Sequence, residues 1–339
     1  MTQEIKQTDV IIIGAGPVGL FSVFQFGMLN MKCCVVDALD FVGGQCKALY
    51  PEKPIYDIPA YPKISGEDLI DNLYKQIAPF NPQFELGESV IKLKKELGFW
   101  QIETSLKKII RAKIVVISAG CGAFGPHKPP LNDLEVYEKS GQIQYHVSKK
   151  ADLKGKNVVI AGGGDSAVDW ALNMVGYAKS VTLIHRRNKF RCAPKNSELI
   201  KTLSSNGEIE LAVPYQLHSL KGEGGKLTHV NVSNLDGAIK SIEADVLLPF
   251  FGLSMDIGPI AQWGLELDRK HVVVNQETME TNLKGVFAVG DIVSYPGKLK
   301  LILTGFSEAA LAAHNAYKIV FPDTPLHFEY STTKGIHTI

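Results

Sequence analysis

The chain of 339 residues is short of cysteine, of net charge and of uninterrupted apolar sequence. Its five cysteines include an adjacent pair, Cys33-Cys34, and no Cys-x-x-Cys. That excludes a disulfide-stapled scaffold and reads as the inventory of a reduced, cytoplasmic protein. The nine histidines show no H-E-x-x-H and no paired spacing for zinc, so no metal site is expected. Lys and Arg total 36 against 35 Asp and Glu, a formal net charge of +1. No global basic excess points to nucleic acid or an anionic membrane. One uncharged stretch, residues 10–30, approaches the roughly 20 apolar residues of a membrane span. Gly14, Gly16, Pro17, Gly19, Gln25 and Gly27 interrupt it, and Glu4, Lys6 and Asp9 precede it in place of a basic leader. A buried strand, a tight turn and a helix are predicted there, in a soluble protein.

What is present is a repeat. DVIIIGAGPVG, residues 9–19, matches NVVIAGGGDSA, residues 157–167. Gly14, Gly16 and Gly19 correspond to Gly162, Gly164 and Ala167. Each copy runs from an apolar stretch through glycines into a helix-like stretch. Each then reaches a second apolar run, CCVVD at 33–37 and SVTLIH at 180–185. That is the βαβ pattern of a parallel sheet, so the fold class is α/β with two Rossmann-like dinucleotide-binding domains. The first glycine permits the tight turn, the second lets backbone approach a pyrophosphate, and the third position must be small for helix and strand to pack. The diphosphate then meets free N–H groups at the positive end of a helix. One such motif alone is a weak signal, since a glycine turn also joins strand to helix for structural reasons; two in the right context are far more specific.

The ends of the second strands separate the two sites. Asp37 follows Gly16 by 21 residues, where a carboxylate can accept from ribose hydroxyls. His185 follows Gly164 by the same 21 residues and leads into Arg186 and Arg187, with Arg191 close behind. Guanidinium groups bind a 2′-phosphate bidentately, whereas an acid repels it. The first site is therefore expected to hold an adenosine with a free 2′-hydroxyl, and the second NADP(H). The competing reading of Arg186 and Arg187 is a solvated surface pair.

Helical spacing of Leu69, Ile70, Leu73 and Ile77 predicts a helix over 66–80. Residues 88–118 read as short strands, and Asp236-Gly237 as a hairpin turn. VVISAG at 115–120 and VLLPFFG at 246–252 read as strands leaving a domain. The second domain is accordingly placed at 122–251, inserted in a first domain of 1–121 and 252–339.

TNLKGVFAVGDI, residues 281–292, runs a strand into Gly290-Asp291, and an apolar helical stretch begins near Thr304-Gly305. This pattern resembles the second flavin-contacting motif of FAD-dependent pyridine nucleotide reductases. The order of the sites, FAD first and NAD(P) second, is also similar. HRRNKFR, 185–191, resembles the 2′-phosphate loop of thioredoxin reductases, whose fold the whole chain resembles. Those enzymes carry a redox Cys-x-x-Cys before the second glycine motif, where this chain reads GQIQYHVSKKADLKGK, 141–156. That departure, with YHV at 145–147 and GGGDSAVDWAL at 162–172, gives a resemblance to ferredoxin–NADP reductases of the thioredoxin-reductase-like type, over essentially the full length.

The resemblance implies roles for particular residues. Besides Gly14, Gly16, Gly19 and Asp37, FAD would be met by Gln45, Tyr50 stacked on the flavin, Val90 by its backbone at the adenine side, Phe124 near the flavin, and Asp291 on the ribityl chain. Tyr330 and Thr332 come from a C-terminal extension that in this family covers the flavin of a partner subunit, so a homodimer is implied. NADPH would be met by Gly162, Gly164, Asp165, Ser166, Ala167, His185, Arg186, Arg187 and Arg191. No side chain is expected to act as a catalytic acid, base or nucleophile. The implied reaction is electron exchange between NADPH and ferredoxin through FAD, as a hydride and then single electrons. An alternative acceptor is flavodoxin or a disulfide partner; a flavin monooxygenase and a non-enzymatic nucleotide sensor are further rivals. An acidic ferredoxin favours a basic docking face, for which Lys92, Lys94, Lys95, Lys107, Lys108 and Arg111 are candidates.

Overall fold

The computed structural model describes residues 5–147 and 149–327, with Thr332 and Gly335 beyond them, and backbone only at 123, 124 and 253–255. It divides into two units, Met1–Phe124 with Met255–Ile339, and Gly125–Ser254. Each boundary falls three residues beyond the crossing read from the glycine-ended strands. The crossing segments, Ala123–Pro126 and Leu253–Asp256, are themselves paired strands.

The first unit is built on a five-stranded parallel sheet. In spatial order its strands are Val286–Ala288, Ile114–Ile117, Val10–Ile13, Cys33–Asp37 and Gln83–Leu86. Val10, Ile11, Ile12 and Ile114–Ile117 are fully buried, which is why these strands read as unbroken apolar runs rather than alternating ones. The uncharged stretch that follows is the strand, the glycine turn and the crossover helix Pro17–Met28. Helix Gly66–Ile77 buries Leu69, Ile70, Leu73 and Ile77, and the Ser65 hydroxyl caps its start by accepting from the Asp68 N–H at 3.0 Å. Helix Ile302–Val320 begins two residues before Thr304 and buries a face of Gly305, Ala309, Ala312, Ala313 and Ala316. It lies close on helix Pro17–Met28: a Cβ on Gly305 would stand 2.4 Å from a Val18 methyl. A second sheet pairs Val90–Glu96, Phe99–Thr104 and Ile109–Ala112 antiparallel, with Ile5–Gln7 along its edge.

The second unit repeats the parallel theme. Its strands run Glu210–Ala212, Ser180–Ile184, Asn157–Ala161 and Val246–Pro249 in spatial order. Helix Asp165–Met174 is the crossover between the middle two. A three-stranded antiparallel sheet, Gln216–Glu223, Lys226–Ser233 and Ile239–Glu243, completes it. Asp236-Gly237 lies in the turn between the last two, with Gly237 at φ +81°. Among the described residues, no helix is long and apolar enough to cross a membrane.

Candidate functional site

In the first unit the glycine turn is tight for reasons each glycine shows. Gly14 sits at φ +111°, and a Cβ there would stand 2.4 Å from the Ser118 carbonyl oxygen. A Cβ on Gly19 would stand 1.9 Å from the Gly14 oxygen, so helix and strand touch backbone to backbone. Gly16 differs: a Cβ there would meet nothing within 4 Å. Its free side opens on a cavity. Gly16 is also the N-cap of helix Pro17–Met28, whose first turn carries no acidic residue and receives no side-chain cap. The N–H groups of that turn are therefore left to bind an anion.

The cavity has a volume of about 410 Å³ and lies wholly within the first unit. Gly14, Gly16, Asp37, Gln45, Tyr50, Val90 and Asp291 all line it, so the structure brings most of the expected FAD residues to one place. Asp37, at the end of strand Cys33–Asp37, accepts from the Ala15 N–H at 2.5 Å and the Leu39 N–H at 2.8 Å. Burial raises its carboxyl pKa above the ordinary value, and the two backbone donors offset part of that. Tyr50 follows the short helix Gly44–Leu49, and its hydroxyl accepts from the Cys46 thiol at 3.5 Å. Asp291 sits in the turn Gly290–Ile292. An open glycine cradle, an uncapped helix start and a carboxylate at the strand end fit an elongated dinucleotide such as FAD, and the volume lies in the range of small-molecule sites.

Phe124 lies in strand Ala123–Pro126, and only its backbone is described. Tyr330 falls outside the described residues, and Thr332 is exposed. Sequence reasoning missed one wall of the cavity, formed by Ile257, Pro259, Ile260 and Trp263. This segment follows the return crossing and carries no motif. The Trp263 indole nitrogen is buried without a hydrogen-bond partner among the described residues.

In the second unit Gly162 sits at φ +155°, with a Cβ position 2.6 Å from the Phe250 oxygen and 2.9 Å from the Ala167 Cβ. Ala167 is buried in helix Asp165–Met174, so the third position carries one methyl here. Gly164 is the N-cap of that helix. Asp165 and Ser166 are exposed at its start, but the Asp165 carboxylate already accepts from the Ala193 N–H at 3.1 Å. The Arg191 N–H donates to the Gly163 oxygen at 2.6 Å, which ties the 186–191 loop to the glycine turn. Arg186, Arg187 and Arg191 are exposed.

His185 differs from them in burial. It is 8% exposed, and its ring stacks on Phe190 with centroids 5.3 Å apart. A Cβ on Gly163 would stand 2.1 Å from that ring. His185 is the floor on which turn and loop rest, and Gly163, which the G-x-G-x-x-A count passes over, is small to admit it. Burial lowers the His185 pKa, and the neighbouring arginines push the same way.

The candidate docking residues are mostly paired. Lys92 and Lys107 pair with Glu103 at 2.9 and 3.1 Å, and Lys94 with Glu96 at 3.1 Å. Lys108 pairs with Glu85 and Glu88, and Arg111 with Glu96 at 3.4 Å. The Lys95 ammonium lies over the Trp100 ring. Glu85, Glu88, Glu96 and Glu103 thus pair with five of the six cations and reduce the positive charge of the cluster. The cysteines are free thiols, and burial pushes the Cys34 thiol up to about 11, far from the thiolate a redox centre needs.

Residues 8–316 match the family described as Pyridine nucleotide-disulphide oxidoreductase. The ferredoxin–NADP reductase of Acidiphilium cryptum is 57% identical over 333 residues, 98% of each chain. That of Ehrlichia chaffeensis is 51% identical over 97% of each chain. Among solved structures, the thioredoxin reductase of T. acidophilum is 26% identical, with a TM-score of 0.78, over 92% of this chain and 98% of its own. With two glycine-turn sites in the family's order and relatives matched end to end, the chain belongs to the pyridine nucleotide-disulphide oxidoreductases, among the ferredoxin–NADP reductases with the thioredoxin-reductase-like fold.

Proposed function

We propose that this protein is an FAD-dependent ferredoxin–NADP(+) oxidoreductase. The observation that carries the reading is the pair of glycine turns with opposite strand ends: Asp37 in the first unit, Arg186 and Arg187 in the second. When bound, FAD supplies the chemistry of taking two electrons from a nicotinamide and releasing them one at a time.

The chain's own residues bind and orient. Asp37 accepts from the adenosine ribose hydroxyls, and the N–H groups at the start of helix Pro17–Met28 hold the diphosphate. Val90 contacts the adenine side by its backbone. Asp291 would hold the ribityl chain, Tyr50 would stack on the ring, Gln45 and Phe124 would lie near it, and Tyr330 and Thr332 would serve the flavin of a partner subunit. Gly162, Gly164, Ser166 and Ala167 seat the NADPH diphosphate on helix Asp165–Met174, while Arg186, Arg187 and Arg191 grip the 2′-phosphate. Asp165 and His185 hold that loop in place. No side chain is assigned to proton transfer or nucleophilic attack.

Free thiols and the lack of a Cys-x-x-Cys favour ferredoxin over a disulfide acceptor, and a cytoplasmic setting. Flavodoxin is the alternative carrier. A homodimer is proposed as well, on the resemblance of the C-terminal extension to one that covers a partner subunit's flavin. The test is anaerobic NADPH oxidation by the flavin-loaded protein, coupled to cytochrome c reduction with and without ferredoxin. Rates that rise with ferredoxin support the reading; flavin bleaching with no ferredoxin effect removes the acceptor.

A further inference from the structure

Glu308 lies in the second turn of helix Ile302–Val320 and is 2% exposed. Nothing in the proposed function uses it, yet both its oxygens are engaged. Oε2 accepts from the Gly290 N–H at 2.7 Å. Oε1 accepts from the Tyr295 hydroxyl at 2.6 Å and from the Lys298 ammonium. The Lys298 side chain is itself only 6% exposed, and its Nζ lies 5.6 Å from the centre of the Tyr295 ring.

A buried ion pair is a poor way to gain stability alone, because desolvation offsets much of the attraction. An apolar pair of like volume holds two elements together as well. It cannot bind a backbone N–H, and here that N–H belongs to Gly290. Gly290 sits at φ +82° against Val18, and a Cβ on Gly305 would stand 3.4 Å from its Cα. A glycine in that setting has little of its own to fix its orientation. Glu308 supplies the fixing bond, while Tyr295 and Lys298 hold the far end of the same loop to the same carboxylate. Two groups on the cavity wall hang from this arrangement. One is Asp291, next to Gly290. The other is Ile302, at the start of the helix, whose first turn has no side-chain cap.

We infer that Glu308 is a positioning residue for the cofactor: with Tyr295 and Lys298 it locks the Gly290-Asp291 turn to the start of helix Ile302–Val320. Asp291 and the helix's first N–H groups then meet the flavin end of FAD at a fixed separation. This rests on the FAD reading above.

The test compares the full-length wild type with Glu308→Gln and Tyr295→Phe, each stripped of flavin and titrated with FAD. Glu308→Gln keeps the shape and loses the charge; Tyr295→Phe removes a single donor and leaves the ion pair. FAD dissociation constants, the visible absorption bands and the midpoint potential are read. Hydrogen bonds to charged groups make a loss of roughly tenfold in FAD affinity the expectation for Glu308→Gln, with a shifted band and potential and a smaller loss for Tyr295→Phe. NADP(H) affinity of the flavin-free protein stays at the wild-type value. Variants that melt earlier but keep affinity, spectrum and potential show a structural ion pair only and overturn the inference. A wild type that takes up no FAD overturns the cofactor reading and this one with it.

Discussion

The His185 ring lies so close over Gly163 that a methyl group on the glycine would stand 2.1 Å from it. Gly163→Ala therefore has to displace the ring or the turn, an overpacking cost of about 1–3 kcal/mol. The expected result is a loss of NADP(H) affinity of roughly tenfold or more, with FAD content unchanged, read by titration calorimetry and flavin absorbance. Unchanged NADP(H) affinity would show that His185 does not set the loop.

Arg186→Ala and Arg187→Ala should each raise KM for NADPH by roughly 10- to 100-fold, the worth of one charge-assisted phosphate contact. KM for NADH should hardly move, because it has no 2′-phosphate. Steady-state kinetics with both nucleotides decides it; an equal loss for the two would reassign the arginines to general structure.

Gly16 and Gly19 separate ligand from fold. A Cβ on Gly16 meets no atom of the described residues within 4 Å, so Gly16→Ala should leave the flavin-free melting temperature unchanged and abolish FAD uptake. A Cβ on Gly19 lies 1.9 Å from the Gly14 oxygen, so Gly19→Ala should lower the yield or melting temperature of the flavin-free protein itself. Equal effects from both would contradict the open cradle at Gly16.

FAD affinity should depend on pH through Asp37. Burial holds its carboxyl pKa above the ordinary value of 3.8 in the flavin-free fold, and ribose hydroxyls donating to the charged form draw it down. The contribution to binding is therefore complete above that raised pKa and is lost as pH falls through it. Asp37→Asn should remove the acid limb of the affinity–pH curve. An identical curve for the variant would assign the limb to another group.

The two βαβ units were legible because their signals are local. DVIIIGAGPVG and NVVIAGGGDSA carry a strand, a turn and a helix start within a few residues, and glycine spacing reports backbone approach directly. Helix Gly66–Ile77 showed through its 3.6-residue spacing in the same way. What stayed hidden depends on partners distant in sequence. The cavity wall from Ile257 to Trp263 has no periodicity of its own. Lys92 and Lys108 looked basic because the carboxylates they meet, Glu103 and Glu85, stand 11 and 23 residues away in sequence. Glu308 looks like any helix-face acid until the fold brings Gly290 and Lys298 to it.

The paired crossing strands have a consequence for the chain's architecture as a set of parts. At the neck of the insert, the His127 N–H donates to the Gly252 oxygen at 3.0 Å, so its entry and exit are neighbours. On the other side of the cut, Gly122 faces Asp256 closely enough that a Cβ would stand 2.2 Å from its carbonyl oxygen. Both severed ends are thus already side by side. Topologically the second unit is a cassette: residues 125–254 leave and rejoin the first unit at adjacent points, and every strand of the first unit's five-stranded sheet lies outside that span.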